Sequence, residues 1–172
     1  SKNVSGMISY TWMNNTRQFV EINDNIPFPS RYDRRHNIYA TLFWKINSMW
    51  NITGIWMYNS GFAYTLPVGV IPSPSSNDIY QDIYIYGQRN NQRAIDNHRL
   101  DLSFSRRSFI QRVVDGQNKR LAEITWSFGV YNVYNRLNPF YINIGVSENK
   151  RRSVYQVSLL PIMPFINYQI KF

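Results

Sequence analysis

The sequence predicts an all-β chain: an antiparallel, up-and-down run of about six strands of the transmembrane β-barrel kind. Three observations predict it. Several segments alternate apolar and polar residues over the length a strand needs to cross a bilayer, about 9–11 residues. The connections between them alternate long and short. The chain also ends on an uninterrupted alternation, in which Ile166, Tyr168, Ile170 and Phe172 are separated by Asn167, Gln169 and Lys171. Period two marks a strand with one wet and one oily face. With 44% hydrophobic residues in the chain, such a run arises by chance in about one per cent of seven-residue windows or fewer.

Taken in order, the first strand places Val4, Gly6, Ile8, Tyr10 and Trp12 against Ser5, Met7, Ser9 and Thr11. Residues 14–35 carry Pro27, Pro29 and several Asn and Asp, and read as a long loop. The second strand runs from about His36 to Ile46, with Ile38, Ala40, Leu42, Trp44 and Ile46 on one face. A short turn at Asn47-Ser48-Met49 leads to the third, where Trp50, Ile52, Gly54, Trp56 and Tyr58 oppose Asn51, Thr53, Met57 and Asn59. Residues 60–97 read as a long irregular segment with Gly61, Pro67, Gly69 and a Pro72-Ser73-Pro74 run. A loop of that length counts against a compact soluble domain.

The fourth strand, from about His98 to Ser105, sets Leu100, Leu102 and Phe104 against Arg99, Asp101 and Ser103. A polar connection at Asp115-Gly116-Gln117-Asn118 leads to the fifth, which starts near Leu121 and aligns Ile124, Trp126, Phe128 and Val130. The phase blurs through Tyr131–Tyr134, as a bulge would make it. In the long excursion 135–154, Phe140–Ile144 alternates and pairs with Val154–Leu159 as a hairpin extension. The sixth strand closes the chain, and Pro161 and Pro164 imply a bulge or irregular start there.

The long connections follow strands one, three and five. Barrels in outer membranes have short turns on the periplasmic side and long loops outside, so this asymmetry puts the carboxyl terminus at the periplasm and every long loop outside. Lys45, Arg99, Asp101, Glu123 and Lys171 fall on the face opposite the apolar series, where a charge avoids the cost of about 2–4 kcal/mol that an Arg or Lys incurs against lipid at mid-bilayer. Trp12, Trp44, Trp50 and Tyr58 stand near strand ends, as an interfacial aromatic girdle requires.

Composition agrees. Aromatic residues make up 16% and charged residues 17% of 172 residues, against roughly 25% charged in soluble domains. The absence of cysteine excludes disulfides, thiolate metal sites and a Cys nucleophile. No apolar run reaches the length of about 18 residues that a membrane helix needs. Ser1–Ser5 holds no signal-peptide hydrophobic segment, so the expectation is a mature terminus or a piece of a longer chain. A net charge of +9 points to anionic partners, but it is spread over Arg31/Arg34/Arg35, Arg106/Arg107, Lys119/Arg120 and Lys150/Arg151/Arg152, each readable as a solvated loop.

Six pieces, SYTWMNNTRQF, RYDRRHNIYATL, SGFAYTLPVG, HRLDLSFS, WSFGVYNVYNRLNPF and YQVSLLPIMPFINYQIKF, together resemble the carboxyl-terminal barrel of TonB-dependent outer-membrane receptors. The resemblance covers nearly the whole chain in family order and is to the nutrient-uptake kind, similar to starch-utilisation transporters. It implies a barrel of about 22 strands, plugged by an amino-terminal domain and importing a glycan, peptide or metal chelate with energy delivered through TonB. Residues 1–172 would supply only the last strands of it. Since open edges are not tolerated in lipid, the expectation is a terminal part of a larger polypeptide, or one piece completed by other chains. The resemblance also implies that Tyr168, Ile170 and Phe172 form the recognition signal for the barrel-assembly machinery. A surface lipoprotein is a further partner it implies.

No catalytic, metal or cofactor site is expected. His36 and His98 read as rim histidines rather than a metal pair with Asp33 and Asp96. Asp78 and Asp82 lack the glycine turn and terminal Glu of a calcium loop. The glycines build neither a nucleophile elbow nor a phosphate cradle. Outer-loop arginines Arg31, Arg34, Arg35, Arg89, Arg93, Arg151 and Arg152 can meet lipopolysaccharide phosphates. The competing class is a soluble basic β-barrel that binds single-stranded nucleic acid. It predicts rings exposed beside Lys and Arg on one face, whereas here rings and charges separate, so no nucleic-acid partner is expected.

Overall fold

The structure is a computed structural model that describes residues 3–73, 81–114, 117–146 and 152–172. It is all-β. Six strands form one antiparallel sheet: β1 (Val4–Trp12), β2 (His36–Lys45), β3 (Trp50–Asn59), β4 (Asn97–Val114), β5 (Gln117–Tyr131) and β6 (Met163–Lys171). Each pairs with the next in sequence, so spatial order equals chain order. This is the up-and-down arrangement the alternations predict. The sheet is open, with β1 and β6 at its two edges, and no closed barrel is formed.

The register puts every apolar series on one face. One row runs Gly6, Leu42, Gly54, Leu102, Val130 and Pro164. The next runs Val4, Trp44, Ile52, Phe104, Phe128 and Ile166. Because side chains alternate across a strand, agreement in these rows means agreement of whole strands. Lys45, Arg99, Asp101, Glu123 and Lys171 occupy the other face, as expected. That face is less uniformly polar than the alternation suggests, for it also carries Met7, Phe43, Ile55 and Phe165.

The strands are staggered. Gly6 lies two residues toward the turn end from Ile8, the midpoint of β1, while its row reaches Pro164, three residues toward the loop end from Asn167, the midpoint of β6. That offset is about one residue per strand step. With a rise of about 3.4 Å and a strand spacing of about 4.8 Å, it corresponds to a tilt of about 35°.

Among the described residues no second layer packs on this sheet, and only Tyr134, from the connection after β5, reaches its apolar face, beside His98 at the loop end. Ile8 is 78% and Ile166 64% exposed, and the other large apolar residues of the face are exposed or half-buried. Apolar burial lies elsewhere: Phe28, Phe62, Ala63 and Ala94 are buried in the long connections, and within the described sheet residues only Ala122 joins them. The packed part of the described chain is therefore a layer of loops at the end of the sheet where β1, β3 and β5 finish.

Three local expectations need correction, and the irregular start expected for the last strand is met at Leu160. β4 continues to Val114 rather than ending near Ser105, and β5 begins at Gln117, so Lys119 and Arg120 belong to a long hairpin rather than a loop. The register shift falls between Ile110 and Gln111, not at Tyr131–Tyr134. There the chain simply leaves the sheet, with Asn132 at φ 55°, a left-handed conformation that asparagine tolerates. The β5–β6 ladder runs in continuous register through Pro164 opposite Val130; the irregularity precedes it, at Leu160 (φ 59°). Finally, the longer β4 brings Arg106 onto the apolar face, between Trp50 and Trp126.

The described parts of the long connections form paired strands, in the first two of them where the sequence reads as irregular chain. Thr16–Arg17 pairs with Phe28–Pro29, Ala63–Tyr64 with Gln92–Arg93, and Pro67–Ser73 with Gln81–Tyr86. The expected extension is present as Pro139–Val146 paired with Arg152–Ser158. Between the first pair, Asn23, Asp24 and Asn25 all take positive φ (60°, 53° and 60°). Asn and Asp accept that conformation at little cost.

Candidate functional site

Two places in the fold carry chemistry beyond the sheet itself: the closing strand and the loop layer. In β6, Tyr168 faces Trp126 across the ladder with ring centroids 4.4 Å apart, and Ile170 pairs with Ile124. Phe172 follows the last strand residue and is 97% exposed. Tyr168 and Ile170 therefore serve the apolar face, whereas Phe172 adds nothing to packing within the chain. Several rings of the apolar face stand toward its two ends. Tyr10, Trp12 and Tyr58 stand at the loop end, and Trp44, Trp50 and Tyr168 at the turn end. Arg106 at the turn end sits 5.7 Å over the Trp50 ring, so its charge rests against an aromatic face.

The two histidines are held by phenols. His36 Nδ1 lies 3.0 Å from Tyr10 Oη, and His98 Nδ1 lies 2.9 Å from Tyr134 Oη. Among the described residues no cluster of His and acids has the makings of a metal site. Asp33 and Asp96 have other work. Asp78 lies outside the described residues, as does the side chain of Asp82.

Asp33 is fully buried and ties the first long loop to the second. It accepts a hydrogen bond from the Asn15 N–H at 2.8 Å and pairs with Arg93, whose guanidinium also donates to the Asp33 carbonyl (2.8 Å) and the Gly61 carbonyl (3.2 Å). Burial alone pushes this carboxyl up, but the Asn15 and Arg93 hydrogen bonds and the charges of Arg93 and Arg35 outweigh it and hold it below the ordinary range. Asp96 is similar. The Tyr58 hydroxyl donates to it at 2.6 Å and the Gly61 N–H at 3.0 Å. The Tyr58 bond above all lowers its pKa, with burial opposing and Gly61, Arg136 and His98 assisting. Gly61 is needed there, because a Cβ would run into the Ala94 carbonyl. Arg136 Nη2 donates to the Asp96 carbonyl at 3.0 Å, which joins the third loop to the second. Buried Asn132 completes the joint, with Nδ2 on the Arg136 and Leu160 carbonyls and Oδ1 on the Arg136 N–H.

Braced in this way, the three loops enclose a cleft of about 520 Å³. One wall is Phe19 and buried Phe28 from the first loop, another is buried Phe62 and Tyr64 from the second, and Tyr141 comes from the third. Arg17, Arg31 and Arg89 line the same space, and among the described residues no acidic one does. Arg31 and Arg34 both lie over Phe62, with guanidinium carbons 5.9 and 5.8 Å from its centroid.

The seven outer-loop arginines singled out by sequence thus separate into roles. Arg31 and Arg89 line the cleft, Arg34 packs on its wall, and Arg35 and Arg93 are committed to Asp33. Arg151 and the side chain of Arg152 lie outside the described residues, as does Lys150. Sequence reading missed Arg17 and all the cleft rings. They come from segments far apart in the chain, and no local spacing announces them. Compared with protein-family models, with curated proteins and with solved structures, the chain gives no match.

Proposed function

We propose that this chain is the carboxyl-terminal part of an outer-membrane, TonB-dependent receptor barrel that imports a nutrient ligand into the periplasm. The carrying observation is that six consecutive strands keep their apolar residues in one phase on a face that the rest of the described chain leaves open except at its loop end, where Tyr134 meets His98. Two quantities support the same reading. β1, β2, β3 and β6 contain 9, 10, 10 and 9 residues, the length of a crossing strand. The stagger of about one residue per step gives a tilt at the lower edge of the roughly 35–45° found in membrane barrels. A flat sheet exposing this much apolar area in water would invite aggregation.

In this reading the remaining strands and the plug complete the barrel at the β1 and β6 edges. TonB acts through the plug. The barrel-assembly machinery reads Tyr168, Ile170 and Phe172, lipopolysaccharide meets the outer loops, and a surface lipoprotein sits above them. The loop layer faces outward and takes the ligand.

The test is fractionation of cells that produce the native polypeptide, followed by electrophoresis with and without boiling. The expected result is recovery in the outer membrane and a faster band before boiling than after. Recovery in the soluble fraction, with one mobility and retardation by single-stranded oligonucleotides, would overturn the proposal in favour of a nucleic-acid-binding module.

A further inference from the structure

We infer that the loop cleft is a binding site for a small organic anion with a flat apolar part, its acidic group held by Arg17, Arg31 and Arg89. The inference rests on the reading of the loop layer as ligand-facing and specifies the chemistry of that site.

Charge is the first argument. Three arginines line one cavity to which no described carboxylate contributes, and none of the three forms an ion pair among the described residues. The acid nearest in sequence to Arg31, Asp33, is already engaged by Arg93 and Arg35. A second excess appears on Phe62, where the like charges of Arg31 and Arg34 share one ring. Like charges brought together cost free energy unless an anion joins them, and a planar guanidinium favours carboxylate or phosphate through paired N–H donors.

Shape is the second argument. A volume of about 520 Å³ falls within the roughly 300–1,000 Å³ of small-molecule sites. Phe28 and Phe62 are 4% and 6% exposed, so these two wall rings are fixed by packing rather than free to collapse inward. A cation would meet three like charges, and a bare inorganic anion would leave the aromatic walls wet. Only a molecule with both parts uses both features.

The rigid frame fits this role. Asn90 Nδ2 donates to the Pro29 carbonyl at 2.7 Å and the Arg89 N–H to Asn23 Oδ1 at 3.0 Å. These bonds set Arg89 opposite the first loop before any ligand arrives.

The experiment is isothermal titration of the full receptor polypeptide, purified from membranes in detergent, with 2-naphthoate, 2-naphthylmethylammonium and inorganic phosphate as probes. Saturable binding of 2-naphthoate is expected, with phosphate at least tenfold weaker and the cation not bound. Arg31→Gln and Arg89→Gln should each weaken naphthoate by about tenfold, the usual weight of a charge-assisted hydrogen bond. Equal binding of the cation, or unchanged affinity in both variants, would overturn the inference. Boiling-dependent mobility of the same preparations reports the barrel separately: a heat-modifiable protein that ignores naphthoate refutes the cleft assignment alone, and a variant that keeps this mobility is folded.

Discussion

The ring of Phe165 lies across Gly129, its direct partner in the β5–β6 ladder. A Cβ built on Gly129 would stand 2.5 Å from Phe165 Cε1 and 2.9 Å from the Leu102 carbonyl oxygen. The glycine is a seat for the ring, on the face that also carries the charges. Gly129→Val is expected to lower unfolding stability by about 1–3 kcal/mol, as overpacking does. Removing the ring as well, in Gly129→Val with Phe165→Leu, should recover part of that loss in thermal unfolding. An additive pair of losses would mean that the contact does not couple the strands.

Neighbouring residues of β4 test the faces. Leu102 lies on the apolar face and Ser103 on the other. Leu102→Arg is expected to reduce membrane assembly, because the charge costs about 2–4 kcal/mol at mid-bilayer. Ser103→Arg should be assembled nearly as well as the parent, measured by the heat-modifiable fraction in membranes. Equal tolerance of both would refute a lipid-facing side.

Phe172 is almost wholly exposed and lies beyond the ladder. Phe172→Ala should therefore leave the stability of assembled protein within about 0.5 kcal/mol of the parent, as for other surface changes, while lowering the amount assembled. Tyr168→Ala should also cost stability, by about 0.5–1.5 kcal/mol for the lost ring pair with Trp126. Equal losses of assembly and stability in Phe172→Ala would count against a signal role.

The loop layer is expected to loosen in acid. Asp33 and Asp96 are both held below their ordinary value of 3.8 in the folded chain, so the unfolded loops bind more protons. Their contribution is complete above that value and is lost as pH falls below it through the lowered folded values. Protease resistance of residues 13–35, 60–73 and 81–96 should hold from neutrality to about pH 5 and decline below about pH 4. Asp96→Asn, which can still accept from Tyr58, should shrink that acid response; an unchanged response would remove Asp96 from the account.

The strands were legible because period two is a local property. Val4–Trp12 and Trp50–Asn59 were bounded correctly from alternation alone. The end of β4 was not, because Arg106-Arg107-Ser108 puts charge on both phases, while the ladder with β5 carries the chain onward through backbone bonds that no side-chain pattern reveals. In the loops the reverse holds. Proline, asparagine and aspartate suggest irregular chain, which hides the paired strands Pro67–Ser73 and Gln81–Tyr86, and buried Asp33 and its bond to Arg93, sixty residues away, depend on tertiary contact. The cleft was legible only as a surplus of arginine and aromatic residues.

The stagger has a consequence for how the sheet is indexed. A slip of β6 by two residues along β5 would leave every side chain on its own face, so the oily and wet patterns cannot detect it. It would change the accumulated offset, and with it the pitch at which the strands climb. Gly129 can detect it, because the slip moves Phe165 opposite Ser127 or Tyr131, where a side chain already stands. One small residue thus serves as a notch that only one setting of the final strand can enter.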